Sequence, residues 1–451
     1  MRIGILLLLI GFSLSTTVHA QDAPGDREIS LQDAIEIALE NNNQLKVASN
    51  NVDLADKQVR SEKADYFPSV NANISGNRNI GRTFDQSAGQ ITTETNNSFR
   101  SSLNANLPIF SGLENLHSLR SSQYGKRSDE ENLQRVREDI IFNTASNYLQ
   151  LILDQKFLEI DRENLAASRK TLEQVRAQVE VGARPQVDLY NQEATVANNE
   201  LAVVNSENAV QSSRLQLINM LQIDPRKEYE FATPDIADQS IGARQYDLDQ
   251  LVTTALENRS DLQSEKFDIE SIKHQLSATR GSLYPSLSLS GSISSSYSEL
   301  RPFDFRDQFW DQNINRAIGL SLSIPIFGNL DRRTNVQTQQ INYKNARLDL
   351  ENTELQVVQE VNQAYNDYQS YIKQLESSEK ALRAAERSYL TQKERYEVGA
   401  GTLIELSDAN AQYVEAQASR AQALFRVIFQ RKLLDYYVGK LDQNVSFGFM
   451  R

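Results

Sequence analysis

Ser69-Val70-Asn71-Ala72-Asn73-Ile74-Ser75 and, on the return, Leu103-Asn104-Ala105-Asn106-Leu107-Pro108-Ile109-Phe110 decide how this chain folds. Val70, Ala72 and Ile74 alternate with Asn71, Asn73 and Ser75, while Leu103, Ala105 and Leu107 alternate with Asn104 and Asn106. A period of two puts the apolar side chains on one face of a strand and Ser or Asn on the other. The pattern returns as Leu287, Leu289 and Ile293 against Ser288, Ser290 and Ser292, then Ile318, Leu320, Leu322 and Ile324 against Ser321 and Ser323. Each pair reads as a β-hairpin whose strands are joined by a long polar link, about 77–98 and 298–315. A half-buried strand of a soluble sandwich alternates in the same way. Such a sandwich needs a second layer over its apolar face, and the rest of the chain offers helices organised for one another. In a membrane barrel the apolar face meets lipid and the Ser and Asn face meets water.

The hairpins are part of a larger repeat. Ala38-Leu39-Glu40-Asn41 recurs as Ala255-Leu256-Glu257-Asn258, Pro68-Ser69 as Pro285-Ser286, Pro108-Ile109-Phe110 as Pro325-Ile326-Phe327, and Val181-Gly182-Ala183 as Val398-Gly399-Ala400. The offset is 217 each time (255 − 38, 285 − 68, 325 − 108, 398 − 181), so the copies stay in step. Residues 21–224 form the first copy, with its hairpin at about 69–110. Residues 248–440 form the second, with its hairpin at about 286–327. Between them 225–247, with Pro225, Pro234 and Gly242, reads as an equatorial connector, and 441–451 as a tail.

Each copy opens with a helix of about 35 residues, Leu31 to Ala64 or Leu248 to Thr279, stopped by Phe67-Pro68 or Tyr284-Pro285. Beyond Pro-Ile-Phe it runs helical for about 65 residues, or about 100 Å. Leu151, Leu158, Leu165, Leu172 and Val179 fall seven apart, as do Val361, Tyr368, Leu375, Leu382, Tyr389 and Tyr396. These are coiled-coil seams. The following helices carry Leu189, Val196, Val203, Val210 and Leu217, and Leu406, Tyr413, Val427 and Leu434. Val181-Gly182-Ala183-Arg184-Pro185 and Val398-Gly399-Ala400-Gly401-Thr402 join the long helices by tight turns. Gly182 and Gly399 suit the left-handed closing position, and Pro185 the first turn of the next helix. Thr402 and Glu405 have the spacing of a capping box. Asp408, a turn further on, has no such duty, and carboxylates gathered into a ring at such a tip would favour cations.

Met1-Arg2, the apolar run from Ile3 to Val18 and the exit Val18-His19-Ala20 mark 1–20 as a secretory signal, too short for a membrane anchor. No later stretch has the apolar length of a membrane helix, so the chain either stays soluble or crosses a bilayer as strands. Without cysteine there is neither a disulfide framework nor a thiolate metal site. A formal charge of −13 argues against nucleic acid as a partner. Of three histidines, His19 lies in the signal, and His117 and His274 stand far apart in sequence with no metalloprotease, P-loop or triad context. Neither an enzyme nor a cofactor is expected. A surface adhesin would explain export and heptads, but not two amphipathic hairpins followed by Pro-Ile-Phe in register.

In these features the chain resembles the TolC-type outer-membrane efflux family. The residues that carry the resemblance are Ala-Leu-Glu-Asn in the opening helix, Tyr66-Phe67-Pro68 and Leu283-Tyr284-Pro285 before the strands, and Leu107-Pro108-Ile109-Phe110 and Ile324-Pro325-Ile326-Phe327 after them. The Val-Gly turns followed by Asp188-Leu189 and Glu405-Leu406 complete the set. The resemblance implies a membrane α/β fold, a homotrimer in which each chain gives four strands to a twelve-stranded outer-membrane β-barrel. Below it a coiled-coil α-helical barrel continues through the periplasm. The function implied is the exit duct of a tripartite efflux or secretion system. Its partners would be a periplasmic adaptor (membrane fusion) protein, an inner-membrane pump of RND or ABC type, and outer-membrane lipid. Pro68, Pro108, Pro285 and Pro325 would mark the entry and exit turns of the barrel. Val181, Gly182, Ala183, Val398, Gly399 and Ala400 would dock the adaptor. Tyr396 and Asp188 would link the hairpins, and Glu405 and Asp408 would form acidic rings, although Tyr396 also continues the packing stripe. Where relatives can carry an arginine two residues after the second Val-Gly this chain has Gly401, so the resemblance does not by itself carry over a Tyr-Arg-Asp link. Asn191 likewise stands where the second copy has Asp408.

Overall fold

The computed structural model describes residues 28–85, 89–233, 244–328 and 330–440. The signal at 1–20, the tail at 441–451 and the middle of the connector, with Pro234 and Gly242, lie outside these residues. The first copy consists of α1 (Leu31–Asn41), α2 (Asn43–Ala64), β1 (Ser69–Asp85), β2 (Gln90–Phe110), α3 (Glu114–Glu180) and α4 (Gln186–Leu221). The second consists of α5 (Leu248–Asn258), α6 (Ser260–Gly281), β3 (Ser286–Ser298), α7 (Phe305–Asp307), β4 (Asn315–Ser323), α8 (Asp331–Glu397) and α9 (Leu403–Tyr437). The starts of corresponding elements keep the offset of the sequence, as in 248 − 31, 286 − 69, 331 − 114 and 403 − 186.

The opening helix of each copy is two helices, not one. At Asn42 the backbone leaves the helical region (φ −59°, ψ 122°), and its side chain accepts from the N–H groups of Gln44 and Leu45. It thus caps a new helix. Arg259 makes the same break (φ −63°, ψ 124°) without a capping oxygen. Ala-Leu-Glu-Asn is therefore the end of a short helix whose Ala38 or Ala255 is fully buried.

Among the described residues four strands form one antiparallel sheet in the order β1-β2-β3-β4. Val70 faces Ala105, Ala72 faces Leu103, Leu103 faces Ile293, Leu107 faces Leu289, and Leu289 faces Leu320, so the apolar positions of all four strands share one face. Two expectations need correction. The first link is not irregular: β1 and β2 stay paired out to Asp85 and Gln90, because the alternation continues through Ile80, Phe84 and Ile91. Pro108 is not at a turn but inside β2, where the register with β3 slips between Pro108 and Phe110. A bulge is where a strand tolerates a proline. Pro68 and Pro285 do stand just before β1 and β3, and Pro325 just after β4.

α3 and α8 are 67 residues each, about 100 Å at about 1.5 Å per residue. They pack along α4 and α9 through the heptad positions, of which Leu151, Val361, Leu217, Val427 and Leu434 are fully buried. The main core gathers mid-length, where Ile140, Tyr148, Ile152, Leu221, Tyr368 and Ile428 meet. There the Tyr148 hydroxyl lies 2.6 Å from the Ala232 carbonyl and 3.0 Å from that of Ile29, tying the connector to the segment before α1.

Candidate functional site

Both helical hairpins end, far from the sheet, in the same turn. Gly182 (φ 75°) and Gly399 (φ 78°) occupy the left-handed region. Gly182 N–H donates to Val179 and Ala183 N–H to Gln178, while Gly399 donates to Tyr396 and Ala400 to Arg395, which satisfies the last carbonyls of α3 and α8. A β-carbon at either glycine would meet nothing within 4 Å, so conformation and not space selects the residue. We expect Gly182→Ala and Gly399→Ala each to lower stability by about 1 kcal/mol, with Gly399→Asn costing less; thermal melts in detergent check this. Val181 and Val398, at 79% exposure each, project from the tips. Pro185 is not in the first turn of α4 but just before it, with an extended backbone.

Tyr396 is 4% exposed and packs with Val175, Leu403 and Leu406 across the hairpin seam. The Arg184 guanidinium lies 4.3 Å from the centroid of its ring. Arg184 also donates to Gln178 Oε1 at 2.7 Å and sits 3.4 Å from Asp188 Oδ2. Arg184 therefore touches both Tyr396 and Asp188. This arginine comes from the first copy, from the position that Gly401 holds in the second. Burial raises the Tyr396 phenol, and Arg184 partly opposes that. Its hydroxyl has no partner among the described residues, and the ring lines a cavity of about 120 Å³ shared with Ser168, Gln192 and Asn410.

Glu405 is committed locally. Its Oε2 accepts from Thr402 N–H at 2.9 Å and its own N–H donates to the Thr402 hydroxyl at 3.2 Å, closing the capping box. The Thr402 backbone hydrogen bond holds its carboxyl below the ordinary value. Asp408 is exposed and has no ion pair among the described residues, and Asn191 is also exposed. Asp188 is bound up with Arg184, so of Asp188, Glu405 and Asp408 it is Asp408 whose carboxylate has no partner among the described residues.

Two further clusters were not legible as such. His117 and His274, 157 apart in sequence, meet at Nδ1···Nδ1 3.1 Å, with Tyr124 stacked on His274. Burial, then His117 and Arg120, hold the His274 imidazole below its ordinary value. At the helix break Arg259, 4% exposed, grips Asp261 through two nitrogens at 2.6 and 3.0 Å and Glu360 at 2.6 Å. Nearby Arg135 lies over the Tyr436 ring and donates to its hydroxyl, which donates to Asp139.

The chain is similar to known proteins both in sequence and in fold. Nodulation protein T of Rhizobium leguminosarum bv. viciae is 25% identical over 63% of the chain, and the chain spans 58% of that protein. The solvent efflux pump outer membrane protein SrpC of Pseudomonas putida is 22% identical over 85% of the chain and 79% of its own length. The outer membrane channel CmeC of Campylobacter jejuni superposes with a TM-score of 0.80 at 18% identity, covering 99% of this chain and 96% of that one. The sequence model of the outer membrane efflux protein family matches residues 34–221 and 251–432, and to that family this chain belongs.

Proposed function

We propose that three copies of this chain form the outer-membrane exit duct of a tripartite efflux or secretion system, docking through the hairpin tips onto a periplasmic adaptor and, through it, an inner-membrane pump. The observation that carries this reading is the sheet. Its β1 and β4 have no neighbour on their outer sides among the described residues, and four strands cannot close on themselves. Copies joined edge to edge give twelve strands with the apolar face to lipid and the Ser and Asn face to water. The helices, attached at one end of the sheet, continue the tunnel into the periplasm.

At the tips the Arg184–Tyr396–Asp188 contact ties one hairpin to the other and serves as the gate link. Asp408, repeated by symmetry, makes an acidic ring, and Glu405 contributes charge beside it while capping α9. Val181, Gly182, Ala183, Val398, Gly399 and Ala400 form the adaptor-facing surface. The channel reading favours transport over catalysis.

Extracted protein should require detergent and run as a trimer; release by salt alone, or a stable monomer, contradicts the reading. In that trimer Asp408→Ala should weaken cation selectivity and block by multivalent cations, measured as reversal potential and block constant. Unchanged values would remove Asp408 from the ring.

A further inference from the structure

The connection between β3 and β4 is not the plain polar link its sequence position suggests. It folds back as a compact knob onto the apolar face of the sheet. Phe305 and Phe309 stack with their rings 5.1 Å apart, Phe309 lies 5.4 Å from Phe99, and Phe305 lies 5.2 Å from Tyr297. Phe99 and Tyr297 face each other on the side of the sheet that carries Leu103 and Ile293. The knob is pinned by buried polar groups. Gln308, fully buried, bonds both ways with the Ser298 backbone and donates to Phe303 O, Ser295 Oγ donates to Phe309 O, and Asn313 donates to Ser296 O. Held on this base, Trp310, Phe303 and Phe305 remain 63%, 49% and 44% exposed.

Resting on the barrel reading above, we propose that this knob is a membrane-interface anchor, seating Trp310 with Phe303 and Phe305 at the headgroup level of the outer leaflet. The surface continues the apolar face of β2 and β3, at the end of the strands remote from the helices. Thirteen residues of β3 at about 3.3 Å each, tilted by about 40°, put the knob roughly 30 Å above the helix end of the sheet. That is one hydrocarbon thickness. At the lower end the exposed aromatics Tyr66, Phe67, Tyr284 and Phe327 supply the opposite belt. Arg301 and Arg306 are offset by Asp304, Asp307 and Asp311, so the knob has no cationic excess to capture phosphate. Ring burial at the polar–apolar boundary is the chemistry it fits.

Trp310 is the one tryptophan of the sequence, so its fluorescence reports the knob alone. The trimer in phosphatidylcholine vesicles should show blue-shifted emission. Lipid brominated at the upper acyl chain, the roughly 5–10 Å depth of interfacial side chains, should quench about half of it, and chain-end bromines far less. Phe303→Ser should shift the emission to the red and reduce that quenching. Quenching of Trp310 by aqueous iodide but not by brominated lipid would overturn the anchor, as would a blue-shifted emission silent to both quenchers, which would mean that a second copy covers the knob. Conductance measured on the same vesicles separates the two readings. A conducting trimer with a water-exposed Trp310 loses the anchor and keeps the channel, whereas no conductance and no lipid quenching removes both.

Discussion

Arg184→Ala should raise the fraction of time the channel spends open about tenfold, because it removes the guanidinium that bridges Tyr396 of the second hairpin and Asp188 of the first. A guanidinium over a ring is worth about 0.5–1 kcal/mol when exposed and about 2 when desolvated. Here the Arg184 and Asp188 side chains retain 17% and 22% of their exposure, so the contact lies between these limits. About 1.4 kcal/mol is tenfold in an equilibrium, and three tips opening together would multiply the effect. Arg184→Lys keeps the charge without the planar stack and should open the channel less. Single-channel recordings decide. Wild-type open probability in Arg184→Ala would mean that the trio only packs the tip.

Arg259→Met should cost about 3–5 kcal/mol, the usual penalty for removing one partner of a buried ion pair. The methionine fills the space but leaves Glu360 without its counter-ion and Asp261 with only Arg135, 4.0 Å away. Burial alone would raise the Asp261 carboxyl; the hydrogen bond and charge of Arg259 overcome it and hold it below its ordinary value. Its contribution is therefore present above the ordinary carboxylate range and lost as pH falls through the depressed value. The loss should appear as a lower denaturant midpoint, and replacing Asp261 and Glu360 with leucine as well should recover much of it. A shift under about 1 kcal/mol in the single variant would show that water already screens the cluster.

Periodicity made the strands, seams and tips legible. Val70 to Ile74 and Leu103 to Leu107 alternate because one face is apolar, and Leu151 or Val361 recur by sevens because they are buried along a helix. What periodicity cannot carry is where a helix pauses. Asn42 offers a capping side chain, but Arg259 holds the same break through ion pairs to residues 2 and 101 positions away. The Arg184–Tyr396–Asp188 contact was hidden for a similar reason. The resemblance directs attention to the residue after the second Val-Gly-Ala, which is Gly401, whereas the arginine stands at the equivalent place of the first copy and reaches Tyr396 only through packing. The aromatic knob was concealed by its neighbours, since Phe303, Phe305, Phe309 and Trp310 lie among Arg, Asp and Gln and show no period.

Planar-bilayer recording of the detergent-purified trimer tests the central claim most directly. A duct built from this sheet and these helices should give small, cation-selective steps, and larger ones once Arg184→Ala frees the tips. A trimer that inserts yet never conducts, even with Arg184→Ala, would contradict it.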